Sequence, residues 1–207
     1  MTTAVEASVP GAPETDRGRA KAQRRSAILT EAARLFAEDG YAGVSLEEIG
    51  RAVGVSGPAV YRHFPNKGAL LAAVLIEVSE RLLDGGTRMV REHADARSRL
   101  HALVGFHVDF AIADVDVIRV QDRDLTSLAE ADRHTVRRLQ REYVDLWVRE
   151  LAAVTPDAAP AELRIRAHAV FGLINSTPYS VRTLRPAPAA AIVSSTLESM
   201  ALAALLA

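Results

Sequence analysis

The stretch from Ser45 to Phe64, SLEEIGRAVGVSGPAVYRHF, most constrains what this chain can fold into. Ser45 and Glu48 have the spacing of a capping box, in which each side chain satisfies a free N–H group at the start of a helix. The apolar residues of that helix, Leu46 to Val53, recur every three or four positions and share one face. Gly54 is expected to end it, because glycine enters the left-handed conformation without a steric penalty.

A second short helix is predicted directly after this turn. Ser56 is expected to cap it, and Pro58 suits its first turn, where a missing N–H is harmless. Val60 and Phe64, four residues apart, are expected to face inward. The residues left toward solvent or DNA are Gly57, Pro58, Ala59, Tyr61 and Arg62. A helix this short is unstable alone, so neighbouring helices must hold it. The two helices predict a helix-turn-helix, whose second helix enters a groove of DNA.

Helical periodicity also surrounds this unit. Apolar residues recur every fourth position at Ile28, Ala32 and Phe36, which predicts a helix from about Lys21 that stops at Gly40. These three helices form a predicted DNA-binding headpiece over residues 21–66. Lys67 then opens a long helix that reaches at least Leu83, and the glycine pair at 85 and 86 is expected to end or bend it.

The remainder of the chain also reads as helical. Four helices are predicted at about 98–113, 115–128, 131–154 and 161–177. Pro178, Pro186 and Pro188 mark a non-helical passage, and a last helix follows over 189–206. We therefore predict an all-α fold of about nine helices, with a larger C-terminal domain over 67–207 that binds an effector and dimerises.

The last helix carries a single charged residue, Glu198. A helix that is apolar nearly all round must be buried. A homodimer interface through about 161–177 and 189–206 explains this best. A membrane span is the alternative, because the length just reaches the roughly 20 residues required. The polar residues at the centre of the helix argue against a span: Ser194, Ser195, Thr196, Glu198 and Ser199.

Positive charge is concentrated near the N-terminus although the formal net charge of the 207-residue chain is −1. Residues 17–25, RGRAKAQRR, hold five basic side chains and no acidic one. Residues 1–20 lack the order of a secretion signal, and we expect a disordered arm with a basic end. The chain has no cysteine, which excludes disulfides, thiolate metal sites and cysteine nucleophiles. A cytoplasmic location is consistent with both observations.

Two ordered segments, ILTEAARLFAEDGY and SLEEIGRAVGVSGPAVYRHFPNKGALL, carry a specific resemblance. Over about residues 24–75 they resemble the DNA-binding headpiece of the TetR-like (tetracycline-repressor-like) bacterial transcription regulators. Gly50 departs from the alanine usual in that family and loosens the helix by about 1 kcal/mol. The rest of the chain is similar only in being helical and of suitable length.

The resemblance implies that the second short helix is the recognition helix of a homodimer bound to a palindromic operator on double-stranded DNA. Donors for phosphates would come from Ser45, Tyr61, His63 and Lys67. Base contacts would come from Gly57, Pro58 and Ala59, and Arg62 can form a bidentate pair with guanine. The predicted DNA-binding residues are Ser45, Ser56, Gly57, Pro58, Ala59, Tyr61, Arg62, His63, Lys67, Lys21, Arg24 and Arg25. Each of these assignments has an alternative. Tyr61 could be a packing residue, His63 could cap or stack, Ser45 could be only a helix cap, and the basic run could be a solvated tail.

The resemblance also implies that a small effector binds the C-terminal domain and alters the spacing of the headpieces. The candidate ligand-binding residues are bulky or polar: Phe106, His107, Phe110, Ile118, Gln121, Leu125, Tyr143, Trp147, Phe171 and Asn175. An ordinary core is the alternative for each of them. Their apolar character suggests an effector such as an acyl chain or acyl-CoA. The charged run at 122–124 either pairs internally, pairs with Arg137 or Arg138, or contacts ligand.

Two other classes of function are weaker. Gly54, Ser56 and Gly57 faintly resemble the nucleophile elbow of a hydrolase, but Pro58 stands where a glycine is required and no strand precedes it. The six histidines show no metal-binding spacing, and the chain has no phosphate-binding or dinucleotide-binding glycine motif. We therefore predict no catalysis, no cofactor and no metal. A helical protein-interaction module without sequence-specific DNA binding remains the main alternative to a transcriptional regulator, most simply a repressor.

Overall fold

The computed structural model describes residues 16–207, apart from the side chain of Tyr179. Within that range the chain forms nine α-helices and no strand, which confirms the all-α prediction. They are α1 (Asp16–Gly43), α2 (Leu46–Ala52), α3 (Gly57–Tyr61), α4 (Lys67–Glu92), α5 (Ala96–Ala113), α6 (Val115–Asp124), α7 (Glu130–Val154), α8 (Pro160–Val181) and α9 (Ala190–Leu206). A 3-10 turn, Leu125–Ser127, links α6 to α7.

Local signals in the sequence set the helix-turn-helix of α2 and α3. Ser45 accepts from the backbone N–H of Glu48 at 3.2 Å, and the Glu48 carboxylate accepts from the Ser45 N–H at 2.7 Å. Gly54 takes the left-handed conformation at φ 70° and ends α2. Ser56 differs from the prediction: it precedes α3 with extended backbone, but its hydroxyl makes no capping hydrogen bond.

The first helix begins earlier than its periodicity indicated. Residues 16–20, predicted to belong to a disordered arm, form the first turns of α1, and residues 1–15 lie outside the described range. Polar and basic residues with good helix propensity extend the helix there without any apolar stripe. The basic run is therefore helical. At the other end, Gly40 leaves helical geometry at φ 83° and kinks α1 where the sequence predicted a stop.

The glycine pair of α4 does not end or bend the helix. A Cβ atom at Gly86 would lie 2.6 Å from Cε2 of Tyr143, and one at Gly85 would collide with the Phe106 ring. These positions are glycine because rings from α5 and α7 pack against the helix backbone.

Pro178 was predicted to begin a non-helical passage, but it lies inside α8, and that passage starts only after Val181. Pro178 is buried, and this packing outweighs the loss of one backbone hydrogen bond.

Two apolar cores lie along the molecule. The first is formed by α1, α2, α3 and α4 and also includes Val120 of α6 and Val136 of α7. The second lies beneath α4, α5 and α7 to α9. Helix α6 thus packs on the headpiece while lying in the C-terminal half. None of the helices between residues 16 and 207 is long and apolar enough to cross a lipid bilayer.

The last helix is buried on one side only within a single chain. Leu197, Ala201 and Leu205 are buried, whereas Ile192 and Met200 are 61% and 50% exposed. On the neighbouring helix α8, Ile165 is 68% exposed. We call these three exposed residues the apolar face of α8 and α9.

Candidate DNA-binding surface and effector cavity

Helix α3, the predicted recognition helix, exposes its first turn and its last residues to solvent. Ser56, Pro58 and Arg62 are exposed, and Gly57 and Ala59 are partly exposed. Tyr61 is 47% exposed even though it is aromatic. Val60 and Phe64, by contrast, are buried against the headpiece core, as the spacing predicted. The residues predicted to read bases therefore share one accessible surface.

A basic patch lies beside the end of α3 and surrounds His63. Burial lowers the pKa of His63, and the positive charges of Lys21, Arg24, Arg25 and Arg62 lower it further. The start of α1 is thus close to the recognition helix. Lys21 and Arg24 are exposed. Arg25 is more constrained, because it pairs with Glu77 and its guanidinium lies 5.5 Å from the centre of the Phe64 ring.

Lys67 has a structural role that the sequence did not reveal. Its Nζ donates to the backbone carbonyls of Val44 at 2.9 Å and Ala42 at 3.2 Å, and it lies 4.7 Å from the centre of the Tyr41 ring. The ammonium group therefore holds the link between α1 and α2. It has three donors, so one is left for a phosphate.

The Ser45 hydroxyl is committed to the capping box. It donates to Oε2 of Glu48 at 2.7 Å while it accepts from the Glu48 N–H. These bonds lower the pKa of Glu48 and keep its carboxylate charged. Capping, the alternative role, is therefore what the structure supports directly for Ser45.

Glu47 is a functional candidate that sequence reasoning missed. It is exposed in the first turn of α2, and its Oε1 accepts a hydrogen bond from the Tyr61 hydroxyl at 3.2 Å. The nearby negative charge raises the pKa of Tyr61. A Cβ atom at Gly57 would lie 3.5 Å from Cγ of Glu47. An acid thus lies along the recognition helix, and only the three-dimensional packing of α2 on α3 reveals it.

A cavity of about 340 Å³ lies among the helices of the C-terminal half. Eight of the ten predicted ligand-binding residues line it: His107, Phe110, Ile118, Gln121, Leu125, Tyr143, Phe171 and Asn175. Trp147 and Phe106 are not among the lining residues. Trp147 is fully buried, with its ring centre 4.8 Å from that of Phe171, and Phe106 packs on Gly85 of α4.

Asp122, from the charged run for which ligand contact was one alternative, lines the cavity. Three further polar lining residues were not predicted: Ser79, Gln140 and His168. Each stands among ordinary polar positions in the sequence, and only the packing of its helix turns it toward the cavity.

His107 is the polar centre of this cavity. It is 2% exposed and lies between the rings of Tyr143, Trp147 and Phe171. Its Nε2 lies 3.1 Å from Oδ1 of Asn175, and its Nδ1 lies 3.4 Å from the Tyr143 hydroxyl. Burial lowers the pKa of His107 to about 4 and raises that of Tyr143. The imidazole is therefore neutral near pH 7, with its proton on Nε2 donated to Asn175 and Nδ1 accepting from Tyr143.

A second cavity of about 480 Å³ opens between α6 and α8. It shares Ile118, Asp122 and Asn175 with the first cavity. Its remaining lining residues are Val115, Arg119, Arg123, Ser176 and Ser180. We call this second cavity the mouth and the first one the aromatic cavity; the two have these three lining residues in common.

The charged run on α6 connects cavity and headpiece. Arg123 bonds to the Asp124 carboxylate at 2.9 Å and donates to the backbone carbonyls of Ala37, at 3.4 Å, and Phe36 of α1. Asp122 lines both cavities, and burial raises its pKa. Of the alternatives, internal pairing is the one found for Asp124. Arg138 pairs instead with Glu142, at 2.8 Å.

No group of three or more histidine, aspartate or glutamate side chains in the described range could hold a metal ion.

Comparison with known proteins identifies both halves of the chain. Residues 28–74 match the family described as bacterial regulatory proteins, tetR family, and residues 93–179 match the tetracyclin repressor-like C-terminal domain. Together the matches cover more than half of the chain. The HTH-type transcriptional repressor KstR2 of Rhodococcus jostii strain RHA1 is 27% identical over 176 residues, which are 84% of this chain and 86% of KstR2.

Solved structures share the fold. A TetR-family transcriptional regulator from Bordetella parapertussis 12822 superposes with a TM-score of 0.73 at 24% identity, covering 86% of this chain and 93% of the other. AibR, solved in complex with isovaleryl coenzyme A and operator DNA, gives a TM-score of 0.68 at 21% identity, covering 86% of this chain and 97% of AibR. The chain belongs to the TetR family of bacterial transcription regulators, whose members bind DNA and are not enzymes.

Proposed function

We propose that this protein is a cytoplasmic, ligand-responsive transcriptional repressor that binds a palindromic operator as a homodimer and is released by a small, largely apolar effector. The observation that carries the proposal is the connection between its two sites. Helix α6 lines the cavity through Ile118 and Gln121, and through Arg123 it contacts the headpiece that presents the recognition helix.

The exposed face of α3 and the basic patch supply the chemistry for binding DNA. Gly57 permits a close backbone approach, Pro58 and Ala59 can contact a thymine methyl group, and Arg62 can pair with guanine. Lys21, Arg24 and Lys67 supply positive charge for phosphates. With about three phosphates neutralised per subunit, log affinity should fall against log salt concentration with a slope of about −5.

Dimerisation is supported by the apolar face of α8 and α9. Its three large apolar side chains are half or more exposed in a single chain, and association with a second chain would remove them from water. A two-fold pair would present two recognition helices about one turn of DNA apart, roughly 34 to 36 Å or somewhat more. Because the pair is two-fold symmetric, the operator should be a palindrome.

The proposed effector class follows from the aromatic and aliphatic side chains that line the aromatic cavity around the buried His107. The volume of about 340 Å³ is within the usual range for small-molecule sites, which are mostly apolar with a few placed polar groups. KstR2 is named a repressor, and AibR was solved with an acyl-CoA together with operator DNA. Repression and release by an acyl-CoA or a lipid-like effector are the modes we infer for this chain.

Selection from a pool of random DNA duplexes tests the DNA-binding half of the proposal. We expect enrichment of one palindromic sequence at moderate salt. Equal recovery of all duplexes would contradict this and favour a protein-interaction module. The effector half is tested by measuring whether acyl-CoA compounds raise the melting temperature and release the selected duplex. Stabilisation only by sugars or inorganic ions would contradict an apolar effector.

A further inference from the structure

His63 lies within a cluster of positive charges at the end of α3. Three members of the cluster come from the early turns of α1, and one precedes His63 in the chain: Lys21, Arg24, Arg25 and Arg62. Lys21, Arg24 and Arg62 are exposed, and His63 is partly exposed. The packing of α1 beside the end of α3 therefore surrounds one titratable ring with permanent positive charge.

The imidazole of His63 is uncharged in the free protein near pH 7. Partial burial opposes a positive charge on the ring, and the four cations oppose it further, so that its pKa lies below the ordinary value of about 6.5. The carboxylates that reach this region from α4 and α2 are bonded elsewhere, Glu77 to Arg25 and Glu47 to the Tyr61 hydroxyl. Among residues 16–207 no carboxylate bonds to the His63 ring, so no ion pair holds a proton there.

Docking on DNA changes this electrostatic environment. Helix α3 has five residues, a length of about 7.5 Å at 1.5 Å per residue, and the major groove of DNA is about 12 Å wide. When the exposed first turn of α3 reads bases, the end of the helix and His63 must therefore lie at the edge of the groove, beside the phosphates. Phosphates there offset the surrounding cations and add negative charge close to the ring. Both effects favour the imidazolium, because an opposite charge stabilises the charged form.

We infer that each His63 takes up a proton from the solvent when the protein docks on its operator, and that the operator is bound more tightly in mildly acidic than in mildly alkaline solution. This inference rests on the proposed function, because it requires the face of α3 to dock on DNA. It makes the proton a ligand of the complex, alongside operator and effector. A proton that binds the complex better than the free protein raises operator affinity as the pH falls.

Operator affinity at several pH values tests the inference on the full chain. The probe is the palindromic duplex obtained by selection, and fluorescence anisotropy gives its dissociation constant at pH 6, 7 and 8 at constant ionic strength. The cluster lowers the pKa of His63 in the free protein and the phosphates raise it in the complex. We therefore expect the dissociation constant to increase at least about tenfold from pH 6 to pH 8. A dissociation constant that is the same at all three pH values would overturn the inference.

Calorimetry counts the protons directly. Binding enthalpies measured at pH 7 in phosphate and in Tris buffer differ by the number of protons taken up, multiplied by the difference between the ionisation enthalpies of the two buffers. We expect uptake of about one proton per dimer, shared between its two copies of His63. Release of protons on binding, or no exchange of protons, would contradict the inference.

Two variants at His63 bracket the natural protein. His63→Gln keeps a hydrogen-bond donor but does not titrate, so it should bind the operator at every pH with the weaker affinity of the alkaline protein. His63→Lys stays charged over this range and should bind at every pH with the tighter affinity of the acidic protein. His101→Gln, which removes an exposed histidine of α5, is the matched control and should keep the natural dependence on pH.

The outcomes separate this inference from the proposed function. If no duplex is enriched or bound at any pH, both fail. If the operator is bound but the natural protein and His63→Gln change their affinity equally with pH, only the proton uptake at His63 fails. Equal helical circular dichroism at each pH and in each variant shows that the affinities belong to the folded protein.

Discussion

At the scale of single residues, Lys67 combines a structural and a proposed DNA-binding role on one ammonium group. Two of its donors hold the carbonyls of Ala42 and Val44, which fixes the link into α2. A phosphate bound by the third donor would thereby be tied to the position of the helix-turn-helix. A change at Lys67 would then affect both the binding of DNA and the order of the link between α1 and α2.

Lys67→Ala should lower affinity for every duplex and also lower the melting temperature. The phosphate charge is lost once per subunit, so the salt slope of a dimer should become shallower by about 2. Gel-shift titration across a salt series measures this. Arg91→Ala removes an equal charge at the far end of α4 and serves as control. Unchanged binding of Lys67→Ala would contradict the docking of this surface on DNA.

Glu47→Gln should raise affinity for all duplexes by a few-fold. The amide keeps an acceptor for the Tyr61 hydroxyl but removes a negative charge that would repel phosphates. Fluorescence anisotropy with the selected operator and with a random duplex tests the change. A loss of affinity confined to the operator would instead indicate that the carboxylate reads a base, since acids accept from cytosine.

His107 predicts a dependence of stability on pH. Its pKa is about 4 in the folded protein and about 6.5 when unfolded, so the unfolded chain binds more protons between these values. The contribution of His107 to the free energy of unfolding is therefore fully present above about pH 6.5. It is lost as the pH falls toward 4, and the loss is about 3 kcal/mol at most. Urea unfolding of the natural protein and of His107→Gln should give free energies whose difference changes in that window. A constant difference from pH 7 to 4 would contradict a buried neutral histidine.

At the scale of helices, α6 touches both sites, as α4 also does through Lys67 in the headpiece and Ser79 in the cavity. Ile118, Gln121 and Asp122 line the aromatic cavity, while Arg123 donates to the end of α1. A ligand shifts the headpieces only through contacts that differ between the two states. The contact of Arg123 with α1 is one such candidate, because it lies between ligand and headpiece.

Arg123→Met should therefore reduce the coupling between effector and operator while each still binds alone. The coupling is the ratio of effector affinities measured with and without bound operator. We expect this ratio to approach one in the variant. Arg138→Met, on the exposed surface of α7, should leave the ratio unchanged. An unaltered ratio in Arg123→Met would mean that the signal takes another route.

The helices that the sequence predicted well are those set by local chemistry. The capping box at Ser45, the left-handed Gly54 and the four-residue spacing of Val60 and Phe64 need no knowledge of distant residues. Gly85 and Gly86 were misinterpreted because the rings that require them come from other helices. The second role of Lys67 and the placement of Glu47 were hidden for the same reason.

In the cavity, apolar bulk was a usable signal and eight of ten predicted residues line it. The polar centre was less predictable. His107 and Asn175 are 68 residues apart in sequence, and nothing in the sequence pairs them. Trp147 and Phe106 are bulky and aromatic like several of the lining residues, but the packing of α5 and α7 directs their side chains into the core instead.

At the scale of the whole molecule, the apolar face of α8 and α9 should hold two chains together. Ile192→Glu places a charge on that face and should yield monomers in analytical ultracentrifugation. Operator affinity should fall at least about tenfold, since one recognition helix makes half the contacts. Ala131→Glu adds the same charge at the exposed start of α7, where acids are tolerated, and should remain dimeric. A dimeric Ile192→Glu would place the interface elsewhere.

The exposure of Ile165, Ile192 and Met200 also bears on how gene output would respond to the amount of this protein. If only paired chains occupy an operator, then at concentrations below the dimer dissociation constant the number of pairs varies with the square of the number of chains. Halving expression would leave about a quarter of the pairs. The regulated promoter would then respond steeply to small changes in the amount of this protein.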